Sequence, residues 1–167
     1  MKKLFLSLVI ALVLAVSDSG ADTSIPATSK VRVKVVDAIA IEHNASDVLN
    51  FGTIIASDSH VVSVDAGGNR TGTKRGQLVA DNNTPTADSF TIISAVARQV
   101  DLDIGVPHAL DGRGKLTPTL NTSPAPESGK LSLKPNANIL KVFGKLGVKA
   151  GATSGDYEQN YTVTIRY

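Results

Sequence analysis

The three histidines, His43, His60 and His108, are the side chains of this 167-residue chain best suited to holding a metal or moving a proton. None stands at a ligand spacing from another, as zinc sites require, so they read as isolated surface or turn histidines. Asp101 and Asp103 are two apart, and on a strand both would point the same way. Such a pair suits acid–base chemistry or calcium. Calcium takes six or more oxygens, however, and no looped aspartate motif supplies them. The intervening Val100, Leu102, Ile104 and Val106 instead mark the two aspartates as the solvent side of a sheet. Arg70, Lys74 and Arg75 lie among glycines in the stretch 67–76, which invites comparison with a phosphate cradle. The stretch lacks a terminal Gly-Lys-Ser or Gly-Lys-Thr and no helix follows it, so it reads as an inter-strand loop. Ser17, Ser94 and the other serines lack a nucleophile-elbow context. The residue types therefore point to no enzyme, no cofactor and no metal site.

The elements around these residues are strands. At the C-terminus, Tyr161, Val163, Ile165 and Tyr167 share one side of an extended chain, with Asn160, Thr162, Thr164 and Arg166 on the other. Gly151 and Gly155 turn the chain into this strand. Near the start, Val31, Val33 and Val35, then Asp37, Ile39 and Ile41, alternate with Arg32 and Lys34, predicting one strand or two with a kink near Asp37. Residues 48–55 predict another, with Gly52 marking a bulge or a close backbone approach. Residues 61–66 and 77–80 are short candidates, and two clear strands follow, around Phe90 and Ile92 and then from Val100 to Val106. Residues 108–129 form the longest irregular segment, within which 115–120 suggests a short edge strand. Residues 130–134 are brief. Leu140, Val142, Leu146 and Val148 then oppose Lys141, Lys145 and Lys149. No window has a capped helical stripe. This pattern predicts an all-β, immunoglobulin-like (pilin-like) antiparallel β-sandwich of about eight to ten short strands.

The first residues have a secretory layout: Lys2 and Lys3, an apolar run from Leu4 to Val16, then the small residues Ser19, Gly20 and Ala21. The expected division is a cleaved signal peptide at 1–21, a flexible arm at 22–29 and one sandwich domain at 30–167. The apolar run is short for a bilayer span, and there is no second one. The formal charge of +2 is too small to argue for nucleic acid or anionic lipid. With no cysteine, neither disulfides nor thiolate metal sites contribute. Phe51, Phe90, Phe143, Tyr157, Tyr161 and Tyr167 are too few for a broad stacking platform.

Two segments carry a family resemblance: Leu49-Asn50-Phe51-Gly52 with its flanks, and the closing Tyr161-Thr162-Val163-Thr164-Ile165-Arg166-Tyr167. With Phe90-Thr91-Ile92 and Ile104-Gly105-Val106-Pro107 between them, the chain from about Lys30 onward resembles the bacterial secreted family called domain of unknown function 4402. That family is similar to fimbrial-subunit and spore-coat-like sandwiches, and the resemblance implies no catalytic residue. Fimbrial subunits of the chaperone–usher type have an incomplete sandwich closed by a segment from a neighbour. They also tend to carry a glycine and a tyrosine near the C-terminus, positions that Gly155 and Tyr167 match. The chain departs from them in having no disulfide, and its arm offers only Ile25 as a bulky apolar anchor.

The expectation is a non-enzymatic exported structural or adhesive surface protein, a fimbria-like subunit assembling through strand edges. Its expected contacts are Ile25, Tyr161, Val163, Ile165 and Tyr167. Its partners would be itself or other surface subunits and a periplasmic chaperone, and its place the periplasm, the cell surface or fimbrium, or the medium. No nucleic acid partner and no membrane span after signal cleavage are expected. The alternative is a monomeric secreted binding module that holds a glycan or protein in the loops 67–76 and 108–129.

Overall fold

Strict alternation over the aspartate pair makes β5 (Arg98–Gly105) the centre of a three-stranded sheet. It is flanked by β7 (Lys130–Leu133) and by β9 (Thr162–Arg166), both antiparallel to it. In the computed structural model, which describes residues 30, 32–34, 37–74 and 77–167, all nine strands lie within the unit Val35–Tyr167. The signal peptide and the arm read from the sequence lie outside the described residues.

The larger sheet is built on β8 (Asn136–Val148), thirteen residues long. One edge of β8 takes β4 (Asp88–Ser94) along residues 136–142 and then β2 (His60–Val64) along 144–148. The other edge takes β6 (Leu116–Ser123) along 141–148. β1 (Ile39–His43) pairs with β4, and β3 (Arg70–Gly72) pairs with β2. Every pairing is antiparallel, and no helix occurs among the described residues. The fold is an all-β sandwich, as the alternation predicts.

The two sheets meet through Ile92 and Leu140 of the larger and Val100, Leu131 and Leu133 of the smaller, all buried. Ile39, Phe90, Leu102, Val163 and Ile165 pack around them. Burying each such aliphatic side chain is worth roughly 1.5–3 kcal/mol, which is how a chain without disulfides holds two layers together. Beyond the reach of the smaller sheet, loops cover β8. Leu116, Leu146 and Val148 form a second cluster under Phe51, Ile54, Leu110 and Tyr157.

Four expectations need correction. Residues 32–34 are exposed and outside any strand, and β1 begins only at Ile39. Residues 48–55 and 77–80 make isolated bridges at Asn50, Ile54 and Leu78 in place of strands. For 48–55 the cause is at Gly52: its φ is +72, and the Arg70 side chain passes over it, so the chain bends out of the extended conformation there. The suggested short strand at 115–120 runs on to Ser123 and pairs with β8 along its whole length. Finally, the terminal strand is confined to Thr162–Arg166.

Candidate functional site

The residues that sequence reasoning singled out for metal or phosphate chemistry are dispersed or internally engaged. His60 is buried, with Nδ1 2.8 Å from the Asp58 carbonyl, while His108 is exposed in a loop. No group of three potential metal ligands occurs among the described residues. Asp101 and Asp103 face solvent, where Lys130 donates to Asp101 at 2.7 Å and Arg166 to Asp103 at 3.4 Å. Such exposed pairs contribute little stability.

The glycine-rich loop is filled by the protein's own groups. Asp65 accepts from the Gly67 and Asn69 amides, at 2.8 and 2.9 Å, and from the Asn69 side chain, so a carboxylate already occupies the turn where an anion would sit. Arg70 turns inward and donates to the carbonyls of Phe51, Thr53 and Val79. The Leu49-Asn50-Phe51-Gly52 motif thereby acquires a physical reason. Asn50 accepts from the Gly52 amide at 2.8 Å and donates to Asn83 at 2.6 Å, and a glycine leaves room for the guanidinium.

Asp65 gives a pH prediction. The Asn69 side chain, then the backbone amides of Asn69 and Gly67, hold its carboxyl below the ordinary value of 3.8 despite some desolvation. A depressed folded-state value contributes stability above the unfolded value and loses it as pH falls through the folded one. The gap in urea midpoint between the parent and Asp65→Ala should therefore be full at pH 6 and close progressively below about pH 4. A gap that does not change with pH would mean that the carboxylate's charge is irrelevant to the turn.

The edge strands β1 and β9 present a different feature. Asp88, only 3% exposed, sits on the inward face of β4. It accepts from His43 Nε2 at 2.8 Å and from the Tyr161 hydroxyl. His43 lies over Phe90, with ring centroids 5.0 Å apart, and Phe90 meets Tyr161 edge-on at 6.2 Å. Burial, the bond to Asp88 and the charge of Asp88 together push the Tyr161 phenol above its ordinary value, so it stays a donor. The residues come from three distant parts of the chain, and alternation gave no sign that His43 and Asp88 would meet.

Arg98 makes a second tie. Its guanidinium donates to Asp37 at 2.8 Å and stacks over the Tyr167 ring at 5.5 Å. One tie joins the end of β1 to the residue before β9, and the other joins the residues before β1 to the end of β9. The two edge strands thus run in opposite directions along one side of the sandwich, each paired on one side only among the described residues.

The side of the sandwich between them, called the opening below, carries apolar side chains that are incompletely covered. Ile41 shares the inward face with its partner Ile92, yet it is 38% exposed where Ile92 is fully buried. Val163 and Ile165 are half-buried against the core, and Tyr167 is 64% exposed. Of the expected contacts, the structure gathers Tyr161, Val163, Ile165 and Tyr167 on this edge, while Ile25 lies outside the described residues. The opposite wall, Ile39, Ile41 and His43, was not foreseen, although the inward alternation of Ile39 and Ile41 signalled it.

A second opening lies between β7 and the first half of β8, because β6 pairs with β8 only from Lys141 onward. This cleft of about 330 Å³ reaches Ile92, Leu131, Leu133 and Leu140 and is rimmed by Pro124, Lys134 and Asn138.

Fold and edges together define a β-sandwich in which, among the described residues, an edge strand of each sheet borders one incompletely covered apolar side. The chain belongs to the family described as Domain of unknown function (DUF4402), whose model matches residues 39–167, from the first residue of β1 to the last of the chain. No curated protein and no solved structure matches it.

Proposed function

We propose that this is a non-enzymatic exported surface protein, a fimbria-like structural or adhesive subunit that assembles by adding a strand at the opening between β1 and β9. One observation carries the reading: among the described residues both strands bordering this opening have a free backbone edge, and Ile41 on its wall is exposed although it faces inward. A free edge is a ready template for another chain, and side chains set between two layers give an incoming strand apolar contacts as well as hydrogen bonds. The secretory layout of the first residues supports export, with a periplasmic chaperone as the partner that would shield such an edge before assembly.

Ile41→Lys tests this. The lysine can carry its ammonium out through the opening, so the monomer should fold and melt within a few degrees of the parent. Association, followed by size-exclusion chromatography with light scattering, should be lost. A variant that associates like the parent would remove the opening from the account.

The alternative, a monomeric module binding a glycan or protein, has one supporting observation. A shallow depression of about 200 Å³ on the outer face of the larger sheet brings Asn69 and Thr71 of the glycine-rich loop beside Asn121, Phe143 and Lys145. An aromatic ring among amides and a cation suits a sugar, but a single ring in so small a hollow makes a weak site. The reading gains ground if the protein proves to be a closed monomer.

A further inference from the structure

Residues 31–36 have the composition of a strand. Val31, Val33 and Val35 alternate with Arg32 and Lys34 before Val36, and all four valines are β-branched. Val33 is nonetheless 81% exposed, and residues 32–34 belong to no strand. An alternating apolar face is built to be buried, so the exposure of Val33 asks for a partner.

The same chain is poorly placed to supply one at the opening beside β1. To lie along β1, residues 31–36 would have to reverse direction just before Ile39. Residues 31–38 contain no glycine, proline or asparagine to make that reversal. The one turn-competent residue, Asp37, is held by Arg98 at 2.8 Å.

Charge distinguishes the two openings. A strand that buries its valines turns Arg32 and Lys34 to the outer face. Beside β7 they would meet the exposed Lys134, Lys130 being already paired with Asp101 at 2.7 Å. Beside β1 they would meet Glu42, exposed and on the outward face, while the one cation on β9, Arg166, is already shared with Asp103. The opening between β1 and β9 is the complementary one.

We propose that residues 31–36 of one copy of this chain enter the opening between β1 and β9 of a second copy, burying Val31, Val33 and Val35 against Ile41, Val163 and Ile165. This names the partner in the assembly reading above and rests on it. The donor is thereby moved from the arm at 22–29, with its single anchor Ile25, to the valine-rich stretch beside the domain. Because residues 31–36 and the receiving edge belong to the same chain, each copy can both give and receive, which extends into a linear polymer.

The absence of cysteine makes the test clean, since any thiol is one that was introduced. Full chains carrying Val33→Cys are mixed with full chains carrying Ile41→Cys or, as the control for the other opening, Leu133→Cys, under a mild oxidant; Leu133, like Ile41, faces inward. A disulfide needs Cβ atoms within about 4.5 Å, so it reports where the segment lies. The expected result is a linked pair with Ile41→Cys chains, at least about tenfold above that with Leu133→Cys chains. In parallel, the double variant Val31→Lys/Val33→Lys should associate roughly tenfold more weakly or worse while melting like the parent. Equal linkage to both acceptors, or undiminished association of the double variant, would overturn the assignment of the donor while leaving assembly intact. If the unmodified chain forms no oligomer at all, the assembly reading fails beneath it.

Discussion

Replacing Gly144 by alanine lowers the unfolding free energy by about 3 kcal/mol or more. Gly144 lies at the middle of β8, opposite Leu120 of β6 and Val64 of β2. A Cβ there would drive into the Thr119 carbonyl oxygen and come within 3.1 Å of the Leu120 Cα. Both are backbone atoms of β6, so no side chain can rotate away, and the ladder itself has to part. Ordinarily alanine suits a strand better than glycine, which makes the sign of the effect diagnostic. Gly147 supplies the internal contrast. Its Cβ would come within 2.8 Å of the Thr117 hydroxyl, a group that can swing clear, so Gly147→Ala should cost no more than about 1 kcal/mol. Urea denaturation of the two variants side by side decides the matter. Similar losses would mean that β6 and β8 approach each other less closely than described.

Arg70→Met should lower stability by about 3 kcal/mol, chiefly by unsatisfying carbonyls rather than by losing packing. One guanidinium serves the carbonyls of Phe51, Thr53 and Val79, at 3.0, 3.1 and 2.6 Å. Methionine keeps most of the apolar stem and removes every donor. Lysine keeps the charge but lacks the planar fork, so Arg70→Lys should recover less than half of the loss. Chemical denaturation measures all three proteins. If methionine were neutral, water would have to satisfy these carbonyls, and the account of the Asn50-Phe51-Gly52 bend would need replacing.

These two residues also show where sequence reasoning reaches its limit. β5 and β9 were legible because each alternates strictly and each buries one face. Residues 31–35 alternate too, yet the described 32–34 lie in no strand, since periodicity reports that a face needs covering and is silent on which chain covers it. Residues 48–55 read as a strand because their apolar content is right, but the bend at Gly52 depends on a guanidinium eighteen positions away. β6 was underestimated for the opposite reason. Its polar residues and Pro118 resemble a loop, and proline is tolerated because, among the described residues, β6 pairs on one side only. Of the candidate site, one wall was visible in the terminal alternation. The tie among His43, Asp88 and Tyr161 was not, because it joins single residues from three segments that only the sheet order brings together.

Completion of the opening between β1 and β9 by another copy would show in the molar mass of the purified full chain, followed by light scattering across a hundredfold range of concentration, with negative-stain microscopy of the same samples. A ladder of species rising with concentration and filaments on the grid are expected. A single monomeric mass throughout, with a fold that survives dilution, would contradict it and move the ligand-binding reading to first place.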